Sequence, residues 1–283
     1  MRQRLPVTLP PFPDELLSSW LTRHAAFYAV SPEDMLRHCS PEAPSLRALD
    51  LNLNRGQAAQ LSEIHSIDPD AILKMAFGNI RKPIQCFISK SPMQHCSNCY
   101  LEDSEPAPIR RGQLLGWRIT CSLCGGMLRS IGQNDPDNSF TQYFDIALRG
   151  EKLLNDDAEH NIYSWTSPLE LSRLLLMRRI PHPLPRGGDL WRFRVLGAVI
   201  PDLDNVMGQE TSFTPCPKRP ILSLRFRTAL LAGVAIVERS GPEMLRMLQG
   251  HTFGHNRNNF KKESDRLIAQ TFEWDYPKQM QLI

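Results

Sequence analysis

Apolar positions recur at helical spacing soon after the start of the chain. Leu16, Leu17, Trp20, Leu21 and Phe27, with His24 among them, predict a helix beginning near Asp14, after an extended proline-rich lead from Leu5 to Pro13. Ser31-Pro32-Glu33-Asp34 predicts a second helix start: serine caps the free amides, proline suits the first helical position, and acids favour the positive end of the helix dipole. The segment from Gly56 to His65 also reads as helix, and Asp68-Pro69 opens a short one before Ile72, Leu73 and Met75. Short helices joined by short turns over residues 1–82 fit a helix-turn-helix-like bundle.

The texture changes at Pro83. Periodicity weakens as far as Ile131, and prolines, glycines and paired cysteines take over, as in a small metal-ordered module over residues 83–135. Helical patterning then returns. Phe140 to Leu154 is amphipathic, and Ser167-Pro168-Leu169-Glu170 reads as a cap leading into a helix through Leu171, Leu174, Leu175 and Ile180, with Arg173, Arg178 and Arg179 upon it. Arg225 to Arg239 is apolar and alanine-rich, and Pro242 to Leu248 is a further short helix. Proline-rich breaks at 181–188 and 215–220 separate these elements. The expected fold is mainly α: an N-terminal helix-turn-helix-like bundle, a small zinc-binding module, and a C-terminal helical domain over residues 136–283.

With 41% hydrophobic and 22% charged residues the chain can bury a core, which excludes wholesale disorder. Its most apolar stretch, Thr228 to Val237, is too short to span a membrane and is bracketed by arginines. The basic start Met1-Arg2-Gln3-Arg4 is followed by prolines instead of an apolar export core, so the expected location is cytoplasmic, away from membranes. The net charge of +3 demands no polyanionic partner. Its distribution says more. Residues 173–194 hold six arginines against one acid, Asp189, and residues 215–230 hold Lys218, Arg219, Arg225 and Arg227 with no acid. Arg192 and Arg194 flank Phe193 next to Trp191, a mix of cation and aromatic that suits nucleic acid or a protein interface. Arg178, Arg179, Arg192 and Arg194, with Arg110 and Arg111 of the cysteine segment, are the candidate nucleic-acid or partner contacts; solvated helix faces are the bland alternative.

Cys96-Ser97-Asn98-Cys99 and Cys121-Ser122-Leu123-Cys124 are two CxxC pairs. Zinc favours four soft ligands in a tetrahedron, and each CxxC turn delivers two thiolates to one ion. Cys96, Cys99, Cys121 and Cys124 therefore form a candidate structural zinc site, with Trp117 expected beside it and Arg110-Arg111 on the surface. Gly125-Gly126 after Cys124 opposes the helix that a thioredoxin-like redox pair needs there. Four protein ligands leave no position for a catalytic water. Cys39, Cys86 and Cys216 are scattered singly and read as small buried hydrophobes. His95 is a weaker candidate ligand beside Cys96, and His251 and His255 lack the glutamate of a metalloprotease helix. No P-loop, dinucleotide-binding, nucleophile-elbow or metalloprotease motif is present, so the expectation is a protein that is not an enzyme.

The opening Leu9-Pro10-Pro11-Phe12-Pro13-Asp14-Glu15, followed by Ser19-Trp20-Leu21-Thr22-Arg23-His24, resembles the start of the TniQ family, in which a proline-flanked acid precedes a Ser-Trp-Leu-x-Arg helix. Cys96-x-x-Cys99, Ile109-Arg110-Arg111, Trp117, Cys121-x-x-Cys124 and Leu128 resemble the zinc segment of that family in order and spacing. Cys124 stands where the family pattern usually has histidine, and zinc accepts either. The resemblance is specific over roughly residues 5–130 and extends qualitatively to the related TnsD proteins. It implies a transposition accessory protein for target-site selection. Such an adaptor links a DNA-bound targeting complex, in some systems a CRISPR Cascade-type ribonucleoprotein, to the transposon AAA+ ATPase (TnsC- or TniB-like), and a homodimer is compatible with that role. The rival reading is a stand-alone, zinc-containing, sequence-specific DNA-binding regulator that places its N-terminal helices in the major groove.

Overall fold

A computed structural model describes residues 4–99, 108–131, 140–177, 179–183, 189–203, 220–250 and 257–279. The described residues are mainly helical and fall into two compact units: residues 1–115 with 120–133, and residues 116–119 with 134–283. The first unit therefore carries both the N-terminal helices and the cysteine segment.

In the first unit, α1 (Leu17–Phe27), α2 (Pro32–Cys39), α3 (Leu46–Asn52), α4 (Arg55–His65) and α5 (Pro69–Lys74) enclose one apolar core. Local chemistry sets several of these boundaries. Ser31 accepts from the Asp34 amide at 3.0 Å to start α2. Asn54 and Gln57 form a reciprocal capping box on α4, and Ser66 ends that helix in the left-handed region with φ 55°. Helix α1 has no side-chain cap of its own. Its first amides are met from afar: Leu17 N–H donates to the Met75 carbonyl at 3.0 Å and Ser18 N–H to the Asp50 carboxylate at 2.9 Å. The stripe expected on α1 is buried at Leu17, Trp20, Leu21 and His24, but Phe27, the last residue of the helix, is 53% exposed.

The motif residues of α1 clamp the proline-rich lead. Trp20 Nε1 donates to the Leu9 carbonyl at 2.8 Å, and the Leu9 amide donates to His24 Nε2 at 3.0 Å. The Nδ1 of His24 lies 2.9 Å from the Trp20 carbonyl, so the ring is neutral with its proton on Nδ1. Glu15, fully buried, accepts both the Nε and Nη2 protons of Arg23 at 2.8 and 2.7 Å, while the Arg23 guanidinium lies 4.3 Å from the Phe12 ring. A lead rich in proline has few amides for secondary structure, and these side chains supply its partners instead.

Trp20, His24 and His65 pack ring to ring, with centroids 4.5–4.7 Å apart. Burial lowers the pKa of both histidines, His65 to about 3. Buried Asp50 moves the other way, raised by desolvation to about 6. A histidine neutral when folded but protonated when unfolded costs stability as pH falls below its ordinary value of about 6.5, by up to ~1.4 kcal/mol per pH unit. Asp50 takes up a proton in the folded state below about 6 and offsets one of the two histidines. The expected result is a urea midpoint that falls as pH drops from 6.5 to 4.5, with a shallower fall in His65→Leu. Parallel pH profiles for the two proteins would show that His65 is not held neutral.

The second unit is built around α9 (Leu224–Ser240), buried on nearly every face, against α6 (Phe144–His160), α7 (Pro168–Leu175), α8 (Arg194–Val199) and α10 (Pro242–Gly250). The backbones of α6 and α9 touch: a Cβ on Gly150 would stand 2.0 Å from the Leu231 carbonyl oxygen, so only glycine admits this crossing. The Arg227 guanidinium is fully buried and donates to the carbonyls of Arg118 and Leu222. Helix α11 (Arg257–Gln279) follows, burying Phe260, Ser264 and Leu267.

Two expectations for this half are corrected. The helix drawn through Ile180 stops at Leu175, and Arg179–Pro183 (β3) pairs antiparallel with Asp189–Phe193 (β4), Arg179 opposite Phe193 and Pro183 opposite Asp189. Pro181 and Pro183 disfavour helical backbone at the residues before them and are tolerated in a two-stranded ribbon with open edges. Trp117, expected beside the cysteines, is buried with the second unit, because residues 116–119 belong to it. Among the described residues no helix is long and apolar enough to cross a membrane.

Candidate metal centre

Two short strands bring the CxxC turns face to face. Gln94–His95 (β1) pairs antiparallel with Arg129–Ser130 (β2), Gln94 opposite Ser130 and His95 opposite Arg129. The first knuckle follows β1 and the second precedes β2, so the pairing draws both to one end of the ladder. Each knuckle closes on itself: Cys99 N–H donates to the Cys96 carbonyl, and Cys121 N–H to the Gly126 carbonyl at 2.8 Å. Gly125, with φ +71°, turns the chain after Cys124, where a helix would have been needed for a redox pair. The amides of Leu123 and Gly126 point at Cys121 Sγ and Cys124 Sγ, both at 3.4 Å, and such N–H groups stabilise thiolate charge.

The four sulfurs of Cys96, Cys99, Cys121 and Cys124 lie within 4.8 Å of one another, and those of Cys96 and Cys124 are 3.5 Å apart. Metal–sulfur bonds of about 2.3 Å in a tetrahedron place the sulfurs about 3.8 Å apart, so a cluster of this size could hold one metal ion after small side-chain adjustments. The protonation pattern suits the same conclusion. The Gly126 amide and the neighbouring thiols draw Cys124 down to about 7, whereas the hydrogen bond with Cys124 pushes Cys99 up to about 12 and burial raises Cys96. Crowded thiols keep their protons until a cation replaces them. His95 lies outside the four-sulfur group.

Two side chains not singled out in the sequence fasten the centre to the helices. Asp14, itself in the left-handed region at φ 58°, accepts from the Gly112 amide at 3.0 Å and from the Ser122 hydroxyl at 2.9 Å, and Ser122 sits inside the second knuckle. Gln94, fully buried, donates to the carbonyls of Gly112 and Leu115 at 2.7 and 3.1 Å. The proline-flanked acid of the opening motif was the available signal for Asp14. Gln94 gives none, because an isolated glutamine before a cysteine is common.

The candidate arginines are scattered. Arg110 and Arg111, expected at the surface, are both half-buried: Arg110 borders the cysteine cavity, and the Arg111 guanidinium lies 5.0 Å from the Phe77 ring. Arg179 and Arg192 stand on β3 and β4, paired with Phe193 and Ile180, and Arg194 opens α8. Arg178, Cys216, His251 and His255 lie outside the described residues. Cys39 is fully buried, 3.4 Å from His65 Nε2, while Cys86 is only half-buried.

Residues 6–124 match the TniQ family model, a stretch that runs from the clamped lead through all four cysteines. These residues form a TniQ domain. No curated protein and no solved structure matches it. Its TniQ domain marks a transposition-associated protein of an accessory family rather than a catalytic one. Within that domain the clamp of Glu15, Trp20, Arg23 and His24 and the tether from Asp14 to Ser122 hold the proline-rich lead against the helices and the cysteine cluster.

Proposed function

We propose that this TniQ protein is a target-selection adaptor, joining a DNA-bound targeting complex to the AAA+ ATPase of its transposon. The match over residues 6–124 carries the proposal, because it spans the lead, the five short helices and the metal centre as one block. A second unit with its own buried helix gives the chain two bodies, as a bridge between two partners requires. The ion is zinc. Four thiolates select a soft, tetrahedral cation, and with every position filled by protein the ion orders the segment and does no chemistry on a substrate. The basic residues Arg178, Arg179, Arg192 and Arg194 of the second unit, together with Arg110, are the partner-facing set, offered to DNA, to a CRISPR ribonucleoprotein or to a second copy of the chain. The setting is the cytoplasm, where the target DNA lies.

The test is co-purification of the tagged full chain with the AAA+ ATPase of a TniQ-type transposon, alongside a transposition assay. The adaptor retains the ATPase, and Arg178→Ala/Arg179→Ala/Arg192→Ala lowers transposition while remaining folded. No retention of the ATPase, with transposition unaffected by deleting the chain, would overturn the reading.

A further inference from the structure

We propose that the groove between the start of α4 and the end of α5 grips the phosphate backbone of duplex DNA without reading its sequence. The proposal rests on the chain working at DNA, as the adaptor reading holds. The groove encloses about 860 Å³ and carries Arg55, Lys74, Arg81 and Lys82, all exposed, against a single acid, Asp70. The positive end of the eleven-residue α4 opens at its rim beside Asn54.

The frame under these cations is fixed. A Cβ on Gly78 would stand 2.2 Å from the Leu53 carbonyl oxygen, so the loop before Arg81 rests directly on the end of α3. Gln85 Nε2 donates to the carbonyls of Leu51 and Ile80, at 2.9 and 3.3 Å, and ties the 3-10 turn Lys82–Phe87 to the same place. Four positive charges are thus held on one concave surface, where they act together on a polyanion.

The occupant follows from what the lining lacks. A bound peptide needs apolar anchors, yet of the apolar lining Leu53 and Ile80 are 4% and 2% exposed and Leu51 and Leu73 are half-buried. Apart from Asp70, the exposed side chains of the lining are cations and amides (Asn52, Asn54 and Asn79), groups that donate to phosphate oxygens. Base reading is opposed by α5. In a helix-turn-helix pair the second helix enters the major groove by its N-terminus, but this one has six residues and begins Asp68-Pro69-Asp70. Two carboxylates at that end repel phosphates and leave the cations at the other end to make the contact.

Anisotropy of the purified full chain with two labelled duplexes of unrelated sequence, from 50 to 200 mM salt, tests the proposal. Both duplexes bind alike. Neutralising the groove as Arg55→Gln/Lys74→Gln/Arg81→Gln/Lys82→Gln weakens binding at least tenfold at 50 mM and reduces the salt slope by about three to four, at roughly 0.9 per phosphate contact. Arg37→Gln/Lys90→Gln, which removes two charges outside the groove, leaves the slope within about one of the parent. Should the fourfold variant misfold, Asp70→Asn serves in its place and tightens binding. Unchanged affinity in both groove variants, or strong preference for one duplex, overturns the proposal. The ATPase pull-down separates it from the adaptor reading: a groove variant that loses DNA but retains the ATPase supports the groove, and a parent chain that binds DNA but no ATPase sinks the adaptor alone.

Discussion

Cys121→Ser is expected to release the metal ion and unfold the cysteine segment. Metal analysis of the purified parent should give about one zinc per chain, and the variant close to none. The expected size follows from how little else orders this segment. Among the described residues between Gln94 and Ser130, the regular structure of the first unit amounts to a two-residue ladder and one 3-10 turn, and Cys96 and Cys121 are themselves among its buried residues. Zinc bound to four thiolates supplies roughly 10–16 kcal/mol at pH 7 in small modules of this type, comparable with the whole stability of an ordinary domain. Loss of one thiolate should therefore show as rapid proteolytic cleavage within residues 94–130 as well as loss of metal. The damage should reach the lead, because Asp14 loses its Ser122 and Gly112 partners when the second knuckle opens. Cys86→Ser, which removes a thiol outside the four-sulfur group, should keep the metal and the fold. A Cys121→Ser protein that is metal-free, protease-resistant and as stable as the parent would refute the assignment.

Trp20→Ala should destabilise the chain by about 3–5 kcal/mol, the range for truncating a large buried aromatic. The indole is fully buried against His24 and His65 and holds the Leu9 carbonyl through Nε1. Truncation removes the packing, leaves a cavity beside two neutral histidines, and frees the lead at its centre. Trp20→Phe separates these effects. It keeps most of the ring and loses the N–H, so it should cost about 1 kcal/mol for the missing hydrogen bond together with a smaller packing loss. Urea denaturation read by far-ultraviolet circular dichroism measures both. A loss below about 1 kcal/mol for Trp20→Ala would make Trp20 a partner-binding residue and not a core one.

These two residues also mark where sequence and fold part company. The four-cysteine cluster was legible because its chemistry is local: CxxC places two thiols on one turn whatever surrounds them. The starts of α2 and α5 were legible for the same reason, since Ser31 and Asp68 satisfy amides within three residues of themselves. The burial of Trp20 followed from helical periodicity, which reports which face of an isolated helix is apolar. Tertiary structure alone decided the rest. Nothing near Leu17 in the chain caps α1; Met75 and Asp50 do so from more than thirty residues away. Local pattern favoured extending α7 past Leu175, and the prolines at 181 and 183 instead made a strand whose partner lies beyond the next turn. Trp117 sits in the sequence between the knuckles yet is buried with the other unit, because burial is settled by which surface arrives and not by neighbours along the chain. Arg55, Lys74, Arg81 and Lys82 are spread over twenty-eight positions and form no charge run, so only folding α4, α5 and the 3-10 turn onto Leu53 gathers them into one groove. The sequence by itself determined the chemistry held within one turn of backbone; contacts between distant segments, whose free energy depends on three-dimensional packing, determined everything that had to be brought together.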